Sequence, residues 1–172
     1  PGLRADLAAN YRAASAALNV RASALHAELP ALLAWANEIT PLPAGPWETA
    51  GVIDGELDWS VAGGVSAGTG RFQLRDGRAT NAALALEAAG IDADVEFSDL
   101  RKLVTKPSPL RVRTLTTGRV TFTEVTADVA LHGADDVEVR TFHAAALGGR
   151  VGTEPFRLTP STGEIEAVVL AE

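Results

Sequence analysis

The sequence predicts a mainly β protein, built from a twisted antiparallel sheet of many strands. Two observations predict this class: apolar and polar residues alternate with a period of two over much of the chain after residue 46, and turns rich in Gly and Pro separate the alternating stretches. In addition, apolar residues make up 47% of the 172 residues, which is enough to bury a core and too many for a disordered chain. We therefore expect a β-rich segment over residues 46–172.

Residues 1–45 form an Ala-rich N-terminal segment in which two patterns compete. Ala is the strongest helix former, but Leu18, Val20 and Ala22 alternate with polar residues, as in a half-buried strand. Helix and strand therefore both stay open for residues 3–26.

The end of this segment has a clearer pattern. Leu29 and Leu32 recur at helical spacing, and Pro30 suits a first helical turn, which together predict a short helix near residues 28–38. The following residues, 40–46, contain three prolines and predict a linker, because proline removes a backbone donor and fixes φ.

The alternation after residue 46 places apolar side chains on one side of each predicted strand. For example, Asp54 directly follows Ile53 and Glu56 directly precedes Leu57 in the sequence. Because neighbouring side chains of a strand point to opposite sides, the acidic and the apolar residues occupy opposite faces. The same pattern recurs along the segment and predicts about seven to nine strands. Near Thr123–Glu124 the apolar residues change parity, which predicts a β-bulge.

Charge excludes some functions. The net charge of −7 argues against a nucleic-acid partner, because binding phosphates requires clustered Lys and Arg. The chain has no cysteine, and its three histidines share no metal-ligand spacing. We therefore expect no metal site and no cofactor.

Two acidic rows, at residues 54–58 and 92–96, resemble calcium loops only superficially. Alternate residues of a strand lie roughly 6–7 Å apart and do not converge on one ion. We interpret the rows as a solvated sheet face whose charges pair with neighbouring strands. Arg71 and Arg75 follow the first row after a loop, and Arg111 and Arg113 follow the second.

One short motif resembles a catalytic one. Residues 64–68, Gly-Val-Ser-Ala-Gly, fit the nucleophile-elbow pattern, with His132 and His143 downstream as nominal partners. That elbow requires a strand leading into a helix, whereas Phe72 and Leu74 continue with a period of two. We therefore interpret the motif as a Gly-rich hairpin loop, and we expect neither catalytic residues nor enzymatic activity.

Five runs of glycines and alternating residues resemble a known family. They are Gly51-Val-Ile-Asp-Gly-Glu-Leu-Asp-Trp59, Gly70-Arg-Phe-Gln-Leu-Arg-Asp76, Ala93-Asp-Val-Glu-Phe-Ser-Asp-Leu100, Thr117-Gly-Arg-Val-Thr-Phe122 and Leu147-Gly-Gly-Arg-Val151. Together they resemble the YdbH-like branch of the AsmA-like proteins, a branch once labelled dicarboxylate transport.

This resemblance implies a half-open β-groove in the envelope of Gram-negative bacteria. Such proteins are anchored in the inner membrane, cross the periplasm and carry phospholipid acyl chains along an apolar concave face towards the outer membrane. The chain would then be a non-catalytic periplasmic segment of a longer envelope protein, with a phospholipid or other acyl-chain lipid as its partner. A start at Pro1, without an initiator Met, is also expected of such a segment.

The apolar side chains of the predicted strands are the candidates for lipid contact. They are Ile53, Leu57, Trp59, Val61, Phe72, Leu74, Ile91, Val95, Phe97, Val120 and Phe122. A closed β-sandwich would produce the same alternation. In that alternative the chain would be a structural or adaptor domain that binds a protein partner through a strand edge.

Overall fold

In a computed structural model of the chain, residues 3–31, 34, 47–159, 164–166 and 168–171 are described, and their strands form one open antiparallel sheet. The strands are β1 (Leu3–Arg12), β2 (Ala17–Glu28), β3 (Glu48–Ala62), β4 (Val65–Asn81), β5 (Leu86–Asp99), β6 (Val104–Thr105), β7 (Ser108–Thr117), β8 (Val120–Gly133), β9 (Asp136–Ala146), β10 (Gly149–Thr153), β11 (Phe156–Thr159), β12 (Glu164–Glu166) and β13 (Val169–Ala171). The predicted mainly β, antiparallel class is confirmed.

Several of these strands share one position in the sheet. β6 and β7 both lie between β5 and β8. β10 and β11 both pair with β9 on one side. On their other side, β10 pairs with β13 and β11 pairs with β12. The thirteen described strands therefore form ten rows in a simple meander. The seven to nine strands expected after residue 46 were too few, because the described residues there form eleven strands in eight rows. Pro107 and Pro155, which lack an N–H, interrupt two of these rows, and the last row is divided between β12 and β13.

The Ala-rich N-terminal segment is a β-hairpin. A 3-10 turn at Ala13–Ser15 joins β1 to β2, and β2 pairs with β3 from Leu18, opposite Val61, down to Glu28. The open choice for residues 3–26 is thus decided for strand, because pairing with β3 overrides the helix propensity of Ala.

The predicted short helix lies in the connection between β2 and β3. Residues 29–31 and 34 are helical, which agrees with a helix near 28–38. The other residues of that helix from 32 onwards, the linker at 40–46 and the predicted segment boundary between residues 45 and 46 lie outside the described residues.

The register of the strands separates side chains by polarity. Ile53 of β3 lies opposite Leu74 of β4, which lies opposite Ala93 of β5, so apolar positions continue from strand to strand. We call this side of the sheet the apolar face. The other side, which carries Asp54 and Asp94 one residue further along, is the polar face.

Four neighbouring strands each contain an extra residue at the same level of the sheet. These residues are Asp76 of β4, Gly90 of β5, Arg113 of β7 and Glu124 of β8, and φ is positive at Asp76, Gly90 and Glu124. The bulge predicted near Thr123–Glu124 is therefore confirmed, as one member of a line. Bulges strengthen twist and bend strands, so this line gives the sheet a bend while the apolar side chains stay on one side.

The buried core lies within the apolar face. Ala88, Val112, Val125 and Ala144, from four successive rows, form a buried cluster. Larger side chains pack around it: Leu86, Ile91, Leu110, Leu115, Phe122 and Phe142. These larger side chains stay half-buried. One sheet with a half-exposed apolar face agrees with the predicted groove rather than with the sandwich alternative.

Candidate functional site

The structure brings all eleven candidate residues to the apolar face. They belong to β3, β4, β5 and β8, and ten are half-buried, whereas Ile53 is buried. In β3 they are Ile53, Leu57, Trp59 and Val61; in β4, Phe72 and Leu74; in β5, Ile91, Val95 and Phe97; in β8, Val120 and Phe122. The expectation that these residues contact lipid remains a proposal, taken up below.

The apolar face is wider than these eleven residues. Further members lie on rows to either side and between them: Leu7, Val20, Leu110, Leu115, Val129, Leu131, Val137 and Phe142. In β2 and at the end of β8, the sequence indicates these residues, because apolar and polar residues alternate there. In β7, by contrast, Val112 and Leu115 lie on either side of the bulge at Arg113, so no single period covers that strand.

Charged side chains are absent from this face across its central rows. From β2 to β9, the described strand positions that the register assigns to the apolar face carry only apolar residues, Gly, Ser, Thr and one Asn. The polar members include Ser108, whose Oγ donates to the Lys106 carbonyl, and Thr105, whose Oγ1 accepts from the Leu131 N–H. A ligand on this face would therefore meet mainly hydrocarbon, and the hydroxyls of Ser108 and Thr105 are already bonded within the protein.

Glycines on β3 and β4 make room for the largest side chains of the face. A Cβ added at Gly68 would lie 2.3 Å from Cε3 of Trp59, so the indole occupies the space above Gly68. Phe72 lies in the same way between Gly55 and Gly70, where an added Cβ would lie 2.8 Å from its Cδ1 and 3.0 Å from its Cε2, respectively. Both rings therefore lie over backbone that carries no side chain.

The same arrangement continues along the two strands. Leu74 occupies the space above Gly51 and Gly77, with an added Cβ 3.2 Å and 2.9 Å from its methyl carbons. Towards β5, Phe72 meets Phe97 edge to face, with ring centroids 5.8 Å apart, a favourable geometry for aromatic pairs. Trp59, Phe72 and Leu74 thus form a continuous apolar strip that lies over glycines of β3 and β4.

The polar face is held together by ion pairs between strands. Arg71 of β4 binds Asp94 of β5 through two hydrogen bonds, one of them from Nε to Oδ1 at 2.8 Å, and Gln73 donates a third to Asp94 at 3.1 Å. The pKa of Asp94 lies below the ordinary aspartate value, chiefly because Arg71 donates to its carboxylate. The pair fixes the register of β4 on β5.

The expected partners of the arginines were partly wrong. Arg71 follows the first acidic row but pairs with the second, and Arg113 contacts Asp76 at 3.4 Å instead of residues 92–96. The first acidic row, at residues 54–58, instead pairs with cations of β2: a ring nitrogen of His26 lies 2.7 Å from Asp54, and an Arg21 nitrogen lies 3.1 Å from Asp58. The expectation was partly wrong because the strand that carries each acidic row has a neighbour on both sides. The order of residues in the sequence does not show which neighbour supplies the cation.

Comparison of the whole sequence with known protein families identifies the family of this chain. Residues 13–171 match the YdbH-like family, described as Intermembrane phospholipid transport protein YdbH. The chain belongs to the YdbH-like family. No curated protein and no solved structure matches it. The family is one of intermembrane phospholipid transport, which agrees with a lipid partner and with a place in the cell envelope, and it is described by transport and not by a reaction.

Ser66, the nominal nucleophile, lies in an ordinary hairpin of this YdbH-like chain. Gly63 and Gly64 form the turn between β3 and β4, and Ser66 pairs with Val61 within the antiparallel ladder. β4 then continues as a strand to Asn81, so the strand-to-helix turn of a nucleophile elbow is not formed here. The interpretation as a Gly-rich hairpin is confirmed.

Two further searches concern the described part of this YdbH-like chain. Among its described residues, no three His, Asp or Glu side chains come close enough together to hold a metal ion. None of its described helical residues belongs to a helix with the length and apolar character needed to cross a membrane.

Proposed function

We propose that this YdbH-like chain is a non-catalytic, periplasmic segment of a longer envelope protein that guides phospholipid between the inner and outer membranes of a Gram-negative bacterium. The observation that carries the proposal is the continuity of the apolar face. It crosses successive rows of the sheet without a charged side chain from β2 to β9, and its larger side chains are half-exposed. The family's description as phospholipid transport supports it.

The mechanism requires no local chemistry. An acyl chain that leaves water for an apolar surface gains about 0.8 kcal/mol for each CH₂ that becomes buried. The headgroup stays in water at the rim, because burying an uncompensated charge costs far more than that gain. Transfer along the face then needs only that neighbouring positions bind acyl chains about equally well, so that a lipid moves without meeting a deep energy minimum.

Site-specific photo-crosslinking in bacterial envelopes tests the proposal. A photoreactive residue at Trp59 or Phe122, on the apolar face, should form adducts with phospholipid. The same residue at Thr69 of β4 or Thr121 of β8, each exposed on the polar face, should not. If neither apolar position captures lipid while the protein is folded and correctly localised, the proposal is wrong.

A second function, binding of a protein partner along a strand edge, rests on β1. Among the described strands, β1 pairs with β2 alone, and two of its apolar side chains, Leu7 and Tyr11, are 73% and 64% exposed. Unprotected edge strands accept further strands. Crosslinks from Leu7 or Tyr11 to a protein, together with no lipid adduct at Trp59, would favour this function over lipid guidance.

A further inference from the structure

A cleft lies between the strands at the C-terminal end of the described sheet, and residues of β8, β9, β10 and β13 line it. Its volume is about 390 Å³, within the roughly 300–1,000 Å³ of small-molecule sites. The lining includes Glu124, His143, Ala145, Arg150, Gly152 and Leu170.

The pairing register places this cleft on the polar face. Asp92 of β5, two residues before Asp94, pairs with Arg111 of β7. Arg111 pairs with Thr126 of β8, and Thr126 pairs with His143 of β9. Residues paired across strands point to the same side of a sheet. The cleft is therefore separate from the apolar face, which lies on the other side.

The floor of the cleft consists of small residues. Gly152 of β10 pairs with His143 on one side and with Leu170 of β13 on the other. A Cβ added at Gly152 would lie 3.3 Å from Nδ1 of His143, so the glycine leaves room beside the imidazole. Ala145 of β9 pairs with Arg150 of β10 and carries only a methyl group. The longer side chains therefore surround a floor formed by Gly152 and Ala145.

Three ionisable side chains line the cleft, and all three are exposed: Glu124, His143 and Arg150. Within the described part of the chain, no ion pair or side-chain hydrogen bond joins any of them to another residue. The other two histidines of the chain each bind a carboxylate of a neighbouring strand. The cleft thus contains one carboxylate and two nitrogen-bearing groups that are available to a ligand.

These groups are complementary to a small zwitterion. β9 separates Glu124 of β8 from Arg150 of β10, so their backbones lie about 10 Å apart, two strand spacings. A ligand ammonium group can bind Glu124 while a ligand anion binds Arg150. Arg150 and His143 belong to neighbouring strands and can donate to a tetrahedral phosphate from two directions, whereas a carboxylate has both oxygens in one plane.

We propose that this cleft binds a phosphoethanolamine group. Arg150 and His143 donate to its phosphate, Glu124 accepts from its ammonium group, and its two methylenes lie over Ala145. The ligand is the free compound or the same group displayed by a membrane lipid, because both present this chemistry. The inference goes beyond the proposed function, since the cleft is on the face opposite to the one proposed to guide acyl chains.

NMR spectra of the histidine side chains measure this binding. The chain has three histidines, so His26 and His132 are internal controls for His143. O-Phosphoethanolamine added to the purified protein should shift the His143 signal and leave the other two in place. It should bind several-fold more tightly than inorganic phosphate or ethanolamine, each of which lacks one of the two groups. No shift of His143, or equally tight binding of inorganic phosphate, would overturn the proposal.

Substitutions test the two ends of the site. Arg150→Gln should weaken binding of both O-phosphoethanolamine and inorganic phosphate several-fold, whereas Glu124→Gln should weaken only that of O-phosphoethanolamine. Arg101→Gln is the matched control, because it removes the same charge from an exposed side chain between β5 and β6 and should change neither affinity. Equal losses in Arg150→Gln and Arg101→Gln would indicate a general effect of charge and would count against the site.

Vesicle flotation distinguishes the two sources of the ligand. Vesicles that contain phosphatidylethanolamine and phosphatidylcholine are compared with vesicles of phosphatidylcholine alone, whose quaternary ammonium has no N–H to donate. If Arg150→Gln lowers flotation only with the first kind, the cleft binds the group on a membrane. If this variant floats like wild type but has lost O-phosphoethanolamine, the ligand is the free compound. Both results are independent of lipid crosslinking at Trp59 and Phe122, which tests the opposite face.

Discussion

Arg71 and Asp94 face each other across β4 and β5 in a two-point ion pair, with Nε donating to Oδ1 at 2.8 Å and Nη2 bonding to Oδ2. Arg71 lies directly opposite Glu96 in the register and also opposite Glu56 on the other side, so the guanidinium is surrounded by carboxylates. Its pKa is raised, first because it donates to Asp94 and then through its attraction to that carboxylate. Through this ion pair, the charges of the polar face contribute to the stability of the fold.

Asp94→Asn should make stability less sensitive to acid. Because the pKa of Asp94 is lowered in the fold, its contribution is present above the ordinary aspartate value of about 3.9 and is lost as the pH falls through the folded value. Urea unfolding at pH 7 should therefore show a slightly lower midpoint for the variant, and the difference from wild type should disappear on acidification. The shift should be small, because exposed pairs contribute little.

Arg71→Gln is the companion variant for this test. It removes the cation that lowers the Asp94 pKa, so it should flatten the acid dependence in the same way. A difference between wild type and either variant that stays constant from neutral to acidic pH would contradict the assignment of the lowered pKa to this pair.

Gly90→Ala should destabilise the sheet by about 1–3 kcal/mol, because a residue with a side chain is strained at this backbone conformation. The φ of Gly90 is 65°, and an added Cβ would lie 2.7 Å from Cβ of Arg113, which crosses Gly90 towards Asp76. The measurement is the free energy of unfolding from urea titration. Gly133→Ala, which meets no such contact, should change it little, and a Gly90→Ala variant as stable as wild type would show that the bulge line tolerates a side chain.

Val125→Ala should cost about 1.5–3 kcal/mol, from the lost burial of two carbons and the cavity that remains. Val125 is 3% exposed and lies in the cluster with Ala88, Val112 and Ala144. Val65→Ala removes the same atoms from a side chain that is 64% exposed, and should change the unfolding free energy by no more than about 0.5 kcal/mol. Equal effects of the two substitutions would show that this cluster is not the core.

Leu147→Asn should stabilise the protein by about 0.5–1 kcal/mol, because asparagine adopts the left-handed conformation more easily than leucine. Leu147 and Gly148 form the two-residue turn between β9 and β10, with φ of 52° and 83°. Leu147 is 92% exposed, so little packing is lost. Gly148→Ala should act in the opposite direction. A lower thermal midpoint for Leu147→Asn would show that the leucine side chain makes a stabilising contact.

Much of the apolar face was predictable because a strand alternates with a period of two. Ile53, Leu57, Trp59 and Val61 share one parity with acidic residues between them, and the structure places them together. The Ala-rich hairpin was not decided by its own sequence, because alanine is small enough for a strand and also the strongest helix former. Its pairing with β3 is a tertiary contact that local patterns do not contain.

The line of bulges was only partly predictable. At Glu124 the parity of large apolar residues changes within one strand, and that change is visible in the sequence. At Asp76 the residues after Leu74 on the apolar face are Gly77 and Ala79, which are too small to reveal a change of parity. The apolar strip of Trp59, Phe72 and Leu74 was also missed, because the contact of Trp59 with Gly68 depends on which residues lie opposite each other.

The meander of the sheet has a consequence for how the protein opens. Every row is hydrogen-bonded only to rows adjacent in the chain, so the described fold behaves as a one-dimensional array in which each unit is stabilised by its immediate neighbours. Loss of structure then starts at the two ends, β1 and β13, and spreads inward as in a zipper. Amide hydrogens should exchange fastest there and slowest in β5 to β9, where the buried cluster lies.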